Sequence, residues 1–251
     1  MKRSLLLAAC AVMAITASAV QAAPSAAVVA AVADKGRPEA DTKRDADRKP
    51  AEMLEFADVK AGQKVADFNP GVGYFTRIFA KTVGPKGKVY AVINQPPANA
   101  PPPAAPPPIR AIAADAVYGN IEVVQAGFTA FSLPEPVDLF WTAQNYHDLH
   151  LKRFNLDVAA VNKQIFNSIK PGGHYVILDH AAPAGTALDA ADTVHRIDPA
   201  IVRKEVEAAG FKFVGESKVL RTDKDDYSKS VFDPSLRGHT DQFIYKFQRP
   251  K

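Results

Sequence analysis

Apolar positions along this chain change rhythm repeatedly, and each change marks an element. Lys64-Val65-Ala66-Asp67-Phe68 is a short, nearly continuous apolar run, the pattern of a strand buried on both faces. It enters Asn69-Pro70-Gly71-Val72-Gly73, after which Phe75, Ile78, Phe79 and Val83 recur at helical spacing until Gly84-Pro85-Lys86-Gly87 stops them. Lys88 to Ile93, Ile121 to Gln125, Val137 to Trp141 and His174 to Leu178 repeat the buried-strand pattern, with β-branched and aromatic residues prominent. A stripe of Val158, Val161, Ile165 and Ile169 predicts a helix ending at Lys170-Pro171-Gly172-Gly173. Asp198 followed by Pro199 reads as an N-cap and first helical residue, opening a helix with Val202, Val206 and Ala209 that Gly210 closes. Phe211 to Leu220 and Gln242 to Phe247 are two last strands with no helix between them, and a short helix is expected after Pro50.

Strand and helix therefore alternate five times before a hairpin-like end. This predicts an α/β fold: one doubly wound, mostly parallel, seven-stranded Rossmann-like sheet with an antiparallel C-terminal edge, in a single domain. One stretch interrupts the alternation. Pro96 to Pro108 holds eight of the 20 prolines, which lack the N–H and lock φ, so residues 95–109 are expected to be an inserted surface loop of polyproline II character.

The first 22 residues follow a different logic. Lys2 and Arg3 precede an apolar, Ala-rich run from Leu5 to Val20, and Ala19-Val-Gln-Ala22 ends it with small residues at −3 and −1. That is the pattern of a secretory signal peptide cut after Ala22, with the mature chain in the periplasm and no integral membrane segment left after cleavage. Leu7-Ala8-Ala9-Cys10 offers a rival reading as a lipoprotein anchored through Cys10. Cys10 is the chain's single cysteine, so cleavage after Ala22 excludes thiol nucleophiles, Cys-ligated metals and disulfides. It also lowers the formal net charge from +4 to +2. Residues 23–47 are Ala-rich, then mixed in charge, and read as a flexible lead-in. Lys43, Arg44, Arg48 and Lys49 interleave with Asp41, Asp45 and Asp47 and lack interspersed aromatics, so no nucleic-acid partner is expected.

The chemistry gathers where strands end. A strand, a glycine-containing turn and a helix present free backbone N–H groups to a ligand; Gly71 and Gly73 permit close approach, and Asp67 could hold a cationic amino group there. The wider sequence resembles the class I S-adenosylmethionine-dependent methyltransferases, and looks most like an exported bacterial branch of them. The resemblance spans roughly Arg48 to Lys246, within a domain taken as residues 48–251, and rests on several stretches: Val-Ala-Asp-Phe-Asn-Pro-Gly-Val-Gly-Tyr (65–74), Gly-Lys-Val-Tyr-Ala-Val (87–92), Gln-Asn-Tyr-His-Asp-Leu-His (144–150), Ile-Lys-Pro-Gly-Gly (169–173), Leu-Asp-His (178–180), His-Arg-Ile-Asp (195–198) and Arg-Gly-His-Thr-Asp-Gln-Phe (237–243). It implies S-adenosylmethionine as cofactor, with Asp67, Asn69, Gly71 and Gly73 at its methionine end and Asn94 near its ribose. Asn69 stands where the family's first glycine is usual. Ile93-Asn94 and Gly127 stand where its acidic residues usually follow the second and third strands.

The loop Thr142 to His150 follows the fourth strand at the same rim. His147 is the natural general base, Asp148 or another acid its orienting partner, and Asn145 and Tyr146 candidates to hold the acceptor. Asp179, His180 and His195 reach the same rim, but no specific metal-ligand spacing occurs and no metal is expected. Two readings follow. One is a methyltransferase acting on a small-molecule or exported substrate; the other is a non-catalytic binding protein of the cell envelope on the same fold. A hydrolase is disfavoured by the absence of a Gly-x-Ser-x-Gly elbow or a His-Glu-x-x-His pair. The oligomeric state is not legible in the sequence.

Overall fold

The computed structural model describes residues 23–96 and 104–251, so the expected signal peptide and the middle of the Pro-rich insertion lie outside the described residues. In chain order the elements are α1 (Ala26–Val32), α2 (Glu39–Thr42), α3 (Asp45–Arg48), α4 (Pro50–Phe56), β1 (Lys64–Phe68), α5 (Tyr74–Val83), β2 (Lys88–Asn94), α6 (Pro108–Ala114), β3 (Ile121–Ala126), β4 (Val137–Ala143), α7 (Val158–Ser168), β5 (Ile169–His180), α8 (Ala190–Val194), α9 (Pro199–Ala208), β6 (Lys212–Ser217) and β7 (Gln242–Gln248). Single 3-10 turns cover Ala116–Tyr118 and His147–His150.

The strands form one seven-stranded sheet in the order β3-β2-β1-β4-β5-β7-β6. β1 to β5 are parallel and β7 runs antiparallel between β5 and β6, so the expected α/β architecture with an antiparallel edge is the one observed. Alternate strand residues feed two cores. Val65, Val89, Leu139 and Trp141 pack under α1, α4, α5 and α6, while Ala66, Phe68, Phe140 and Tyr175 pack under α7 and α9. Trp141 is fully buried between Phe75 and Phe79, with ring centroids 4.9 and 5.4 Å away. Among the described residues no helix is long and apolar enough to cross a membrane.

Two local expectations give way. The lead-in over 23–47 is not loose chain. Ala-rich sequence has the highest helix propensity, Ser25 caps the backbone N–H of Val28, and Val28 and Ala31, three apart on one face of α1, are buried against the core. Lys43, Arg44 and Asp47 face solvent as expected, but Arg37, Asp41 and Asp45 interlock. The buried Arg37 guanidinium holds Asp45 in a bidentate pair at 2.7 Å and also donates to the Val32 carbonyl. Tyr74 Oη donates to Asp45 at 2.6 Å, and Arg77 pairs with Asp41 at 2.8 Å. The second difference concerns Lys170-Pro171-Gly172-Gly173. α7 stops at Ser168, and these residues lie inside β5, where the register against β4 shifts between Val137–Ile169 and Leu139–His174. A Cβ at Gly173 would stand 2.9 Å from the Asp138 carbonyl, which explains the glycine in that bulge. Pro108, at the end of the Pro-rich run, is the first residue of α6, where the missing N–H costs nothing.

Candidate functional site

A parallel sheet delivers the carboxyl ends of its strands to one rim, and here β1, β2, β4 and β5 converge there. β1 ends in a loop with three left-handed residues: Asn69 at φ 51°, Gly71 at 57° and Gly73 at 77°. Asparagine tolerates this conformation better than other non-glycine residues, so Asn69 preserves the turn that a glycine would make. The loop is pinned from two sides. Asn69 N–H donates to the Val92 carbonyl at 2.8 Å, and the Asn145 amide, on the loop after β4, donates to the carbonyls of Phe68 and Asn69 at 3.0 and 3.1 Å. Asn145 Oδ1 is buried without a protein partner.

Behind this loop is a small chamber of about 40 Å³ lined by Arg48, Asp67, Asn69, Tyr74 and Asn145 among others. In front is a cleft of about 270 Å³ lined by Asn69, Asn94, Phe128, Asn145, Asp148, Leu149, Arg153, Phe154 and Leu156. The two share Asn69 and Asn145. The cleft lies just below the roughly 300–1,000 Å³ usual for small-molecule sites, and the chamber far below it. Asp67 is buried, with Thr76 Oγ1 donating to it at 2.6 Å. Burial pushes its pKa up to about 7, against the lowering effects of Thr76 and of the Arg48 charge. Arg48 lies over the rings of Tyr74 and Phe75 at 4.5 and 4.9 Å and donates to Gln144 Oε1 at 2.9 Å. Its Nε is buried without a partner, and burial together with Arg44 pulls its pKa down to about 10.

The expected cofactor residues divide. Asp67, Asn69 and Asn94 border the two cavities. Gly71 and Gly73 border neither: both supply the left-handed backbone of the turn, and a Cβ at Gly73 would in addition displace Cδ1, the flexible end of Ile112 on α6. Arg48 was not legible as a site residue, since nothing in a mixed-charge run singles out one arginine. Tested against S-adenosylmethionine, the chamber offers groups complementary to the methionine end, a cation in Arg48, a carboxylate in Asp67 and an unpaired acceptor in Asn145 Oδ1, but its space of about 40 Å³ holds little more than one water molecule. At the ribose position only the Asn94 amide is offered.

The β4 loop also divides. Tyr146 is fully buried on the opposite core, donating to Glu205 Oε2 at 2.9 Å and accepting from the Asn162 amide at 2.7 Å. It is a structural tyrosine and not an acceptor-binding one, because the 3-10 turn after it sends its ring toward α7 and α9. His147 lies on the loop after β4 as the sequence put it, but it is buried and lines neither cavity, and of the acids left open to orient it the one that does so is Asp179. Nδ1 lies 2.8 Å from Asp179 Oδ1, and the His147 N–H donates to Asp179 Oδ2 at 2.7 Å. Asp179 is wholly buried and also accepts the N–H of His180. Burial disfavours the imidazolium, yet the charge and hydrogen bond of Asp179, with Asp148 behind them, outweigh it and hold the His147 pKa above its ordinary value. Burial, with Asp179 adding, raises the Asp148 carboxyl, which faces Nε2 of His147 at 3.3 Å. His180 is kept neutral by burial, its pKa driven to about 3, and meets Thr240 at 2.7 Å. His195 stands with its ring 5.4 Å from that of His147, its own pKa lowered by burial and then by the His147 charge.

No protein-family model matches the chain. Among curated proteins it is 27% identical over 193 residues, covering 74% of this chain and 70% of the relative, to the ubiquinone/menaquinone biosynthesis C-methyltransferase UbiE of Cronobacter sakazakii. It is 26% identical over 198 residues, 77% of this chain and 66% of the relative, to UbiE of Shewanella woodyi. The chain spans about two thirds of the length of the curated relatives it matches. Solved structures share its fold at low identity. A putative sarcosine dimethylglycine methyltransferase from Galdieria sulphuraria superposes with TM-score 0.58 at 15% identity, covering 82% of this chain and 85% of that one. An S-adenosylmethionine-dependent methyltransferase from Aquifex aeolicus gives 0.54 at 18%, covering 81% and 89%. A glycopeptide N-methyltransferase, MtfA, solved with S-adenosylmethionine, gives 0.54 at 15%, covering 80% and 86%.

Proposed function

We propose that this chain, a distant relative of UbiE with the class I S-adenosylmethionine-dependent methyltransferase fold, transfers a methyl group to a small-molecule acceptor in the cleft in front of Asn145. One observation carries the reading. At the end of β1, where this fold takes its cofactor, a buried carboxylate, a partly buried arginine and an orphaned amide oxygen surround a chamber that shares Asn69 and Asn145 with the larger cleft. Bound there, S-adenosylmethionine supplies an electrophilic methyl group. The protein's part is to hold its amino and carboxylate groups at Asp67 and Arg48 and to align an acceptor in the cleft.

His147 is the base. Its Nδ1–H bonded to Asp179 leaves Nε2 with the lone pair, and the buried carboxylate stabilises the imidazolium that forms when the acceptor's proton arrives. This is the logic of an orienting acid behind a histidine, assembled here from β5 and the loop after β4. Phe154 in the cleft wall and Phe232, 4.7 Å from the His195 ring, are exposed aromatics that suit an acceptor with an apolar body. Export to the periplasm is part of the same proposal, supported by Lys2 and Arg3, the apolar run behind them and the small residues ending at Ala22.

The test is calorimetric titration of the purified chain with S-adenosylmethionine, alongside a thermal melt. Saturable binding is expected, with about 2.7 kcal/mol of added stability at a hundredfold excess over Kd. His147→Gln should keep that binding and lose about 10²- to 10⁴-fold in transfer. No heat and no shift at millimolar cofactor would overturn the reading in favour of a non-catalytic binding protein.

A further inference from the structure

We infer that His147, Asp148 and His195 form a binding site for a divalent transition-metal ion, opening onto the cleft. One ligand atom from each, Nε2 or Nδ1 of the imidazoles and a carboxylate oxygen, lies within 4.8 Å of the others. His147 Nε2 and Asp148 Oδ1 are 3.3 Å apart, and His195 Nδ1 is 3.9 Å from the same oxygen. Ligands at about 2.0–2.1 Å from a tetrahedral ion stand about 3.3 Å from one another, so the first pair is at coordination spacing and His195 closes in by roughly an ångström on binding.

Three further features fit a metal better than a chance cluster. His147 Nδ1 is committed to Asp179, which fixes the tautomer and leaves the Nε2 lone pair aimed at Asp148 and His195. A buried carboxylate behind a ligating imidazole is the usual outer shell of a metal histidine. His195 Nδ1 is buried with no hydrogen-bond partner, and a buried polar atom left unpaired needs a reason. His195 also holds a left-handed backbone, φ 56°, that a histidine adopts at a cost, while Phe232 packs its ring edge-on at 4.7 Å.

Two imidazoles and one carboxylate make a three-ligand set with open coordination positions, suited to zinc or ferrous iron and not to calcium or magnesium. Asp148 also lines the cleft, so an open position faces the space assigned to the acceptor. The sequence pattern hides this site, since His147 and His195 are far apart in the chain and Asp148 adjoins one of them. The site stands independently of the proposed methyl transfer. If both hold, a bound ion would take the Nε2 lone pair from its role as base and would instead lower the pKa of a coordinated acceptor hydroxyl, whose proton would leave to water in the cleft.

The test is calorimetric titration of the full chain, first stripped with EDTA, with zinc chloride in the absence of S-adenosylmethionine, together with visible absorption on adding cobalt(II). One ion per chain and cobalt d–d bands are expected. His195→Asn, which keeps a residue that tolerates left-handed backbone, and Asp148→Asn should each weaken zinc at least tenfold. Asp179→Asn should weaken it about 10- to 100-fold. His239→Gln, at an exposed histidine elsewhere, should leave it unchanged. Circular dichroism reports whether each variant folds, and His195→Asn and Asp148→Asn test the two ligands separately. Zinc affinity in the parent equal to that of His195→Asn and Asp148→Asn, or no binding at all, would overturn the inference. Because the cofactor titration is run in EDTA and the zinc titration without cofactor, either reading can fail alone.

Discussion

Replacing Asp67 by asparagine tests the cofactor chamber most directly. The carboxyl is buried beside Thr76, and desolvation lifts its pKa from 3.8 to about 7. A ligand's ammonium group binds the ionised form, so the competent fraction is about one half at pH 7 and falls about tenfold for each unit below it. Apparent Kd rises by the same factor. An α-amino group stays protonated up to about pH 7.7, so the ligand contributes no opposing change across pH 5.5–7.5. Asparagine keeps the shape and the acceptor for Thr76 but does not ionise. The expected result is that the parent binds S-adenosylmethionine more weakly as pH falls, while Asp67→Asn has a flat profile. At pH 7.5 the variant should bind about 10- to 100-fold more weakly than the parent, the value of a charge-assisted hydrogen bond of about 1.5–3 kcal/mol. Stability provides a second readout with a definite sign. The folded pKa is raised, so the unfolded chain loses this proton first. Between about pH 4 and 7 the parent should lose about 1.4 kcal/mol per unit relative to Asp67→Asn, and above 7 the difference should level off. Calorimetry at three pH values and urea melts on both proteins measure these. A flat parent profile, or the same slope in the variant, would refute the assignment of Asp67.

Other expectations follow from particular contacts. Gly73→Ala combines a left-handed φ, about 1–2 kcal/mol, with at most a small addition for moving the flexible Cδ1 end of Ile112. Gly71→Ala, with nothing within 4 Å, should show the backbone cost alone, and urea melts compare the two. Tyr146→Phe should lower stability by about 1–3 kcal/mol through the loss of Glu205 and Asn162 as partners, yet leave cofactor affinity within twofold; a large affinity loss on titration would return Tyr146 to the site. Arg196→Leu leaves the buried Asp225 carboxylate without the bidentate guanidinium that holds it at 2.8 and 3.0 Å, and should cost about 3–5 kcal/mol on chemical denaturation.

Legibility in the sequence follows the range of the interactions involved. Strands β1, β2, β4 and β7 and helices α5 and α9 were readable because their apolar period and end signals are local. Asp198, expected as an N-cap, accepts the Ala200 N–H, and the glycines at 84 and 210 end helices where expected. α1 was missed because alanine supplies little hydrophobic contrast; its buried face is only Val28 and Ala31, and its value comes from α5, which is distant in sequence. Of the rim loop, the sequence put His147 after the fourth strand but could not choose among nearby acids, since Asp179 lies 32 residues away. It also could not tell that Tyr146 turns inward.

By itself the amino-acid sequence determined the α/β class, the single sheet with its antiparallel edge, the glycine-bearing loop after β1 and the concentration of polar groups after β4. Each is written in periodicity, turn chemistry or composition within a few residues. The tertiary structure decided which charges are buried together: Arg48 and Asp67 in one chamber, His147 on Asp179, and His195 against Asp148. Those pairings depend on desolvation and on distances of 3 to 4 Å between segments far apart in the chain. No local pattern encodes them, because the sheet's order brings the strand ends together only once the whole fold has closed.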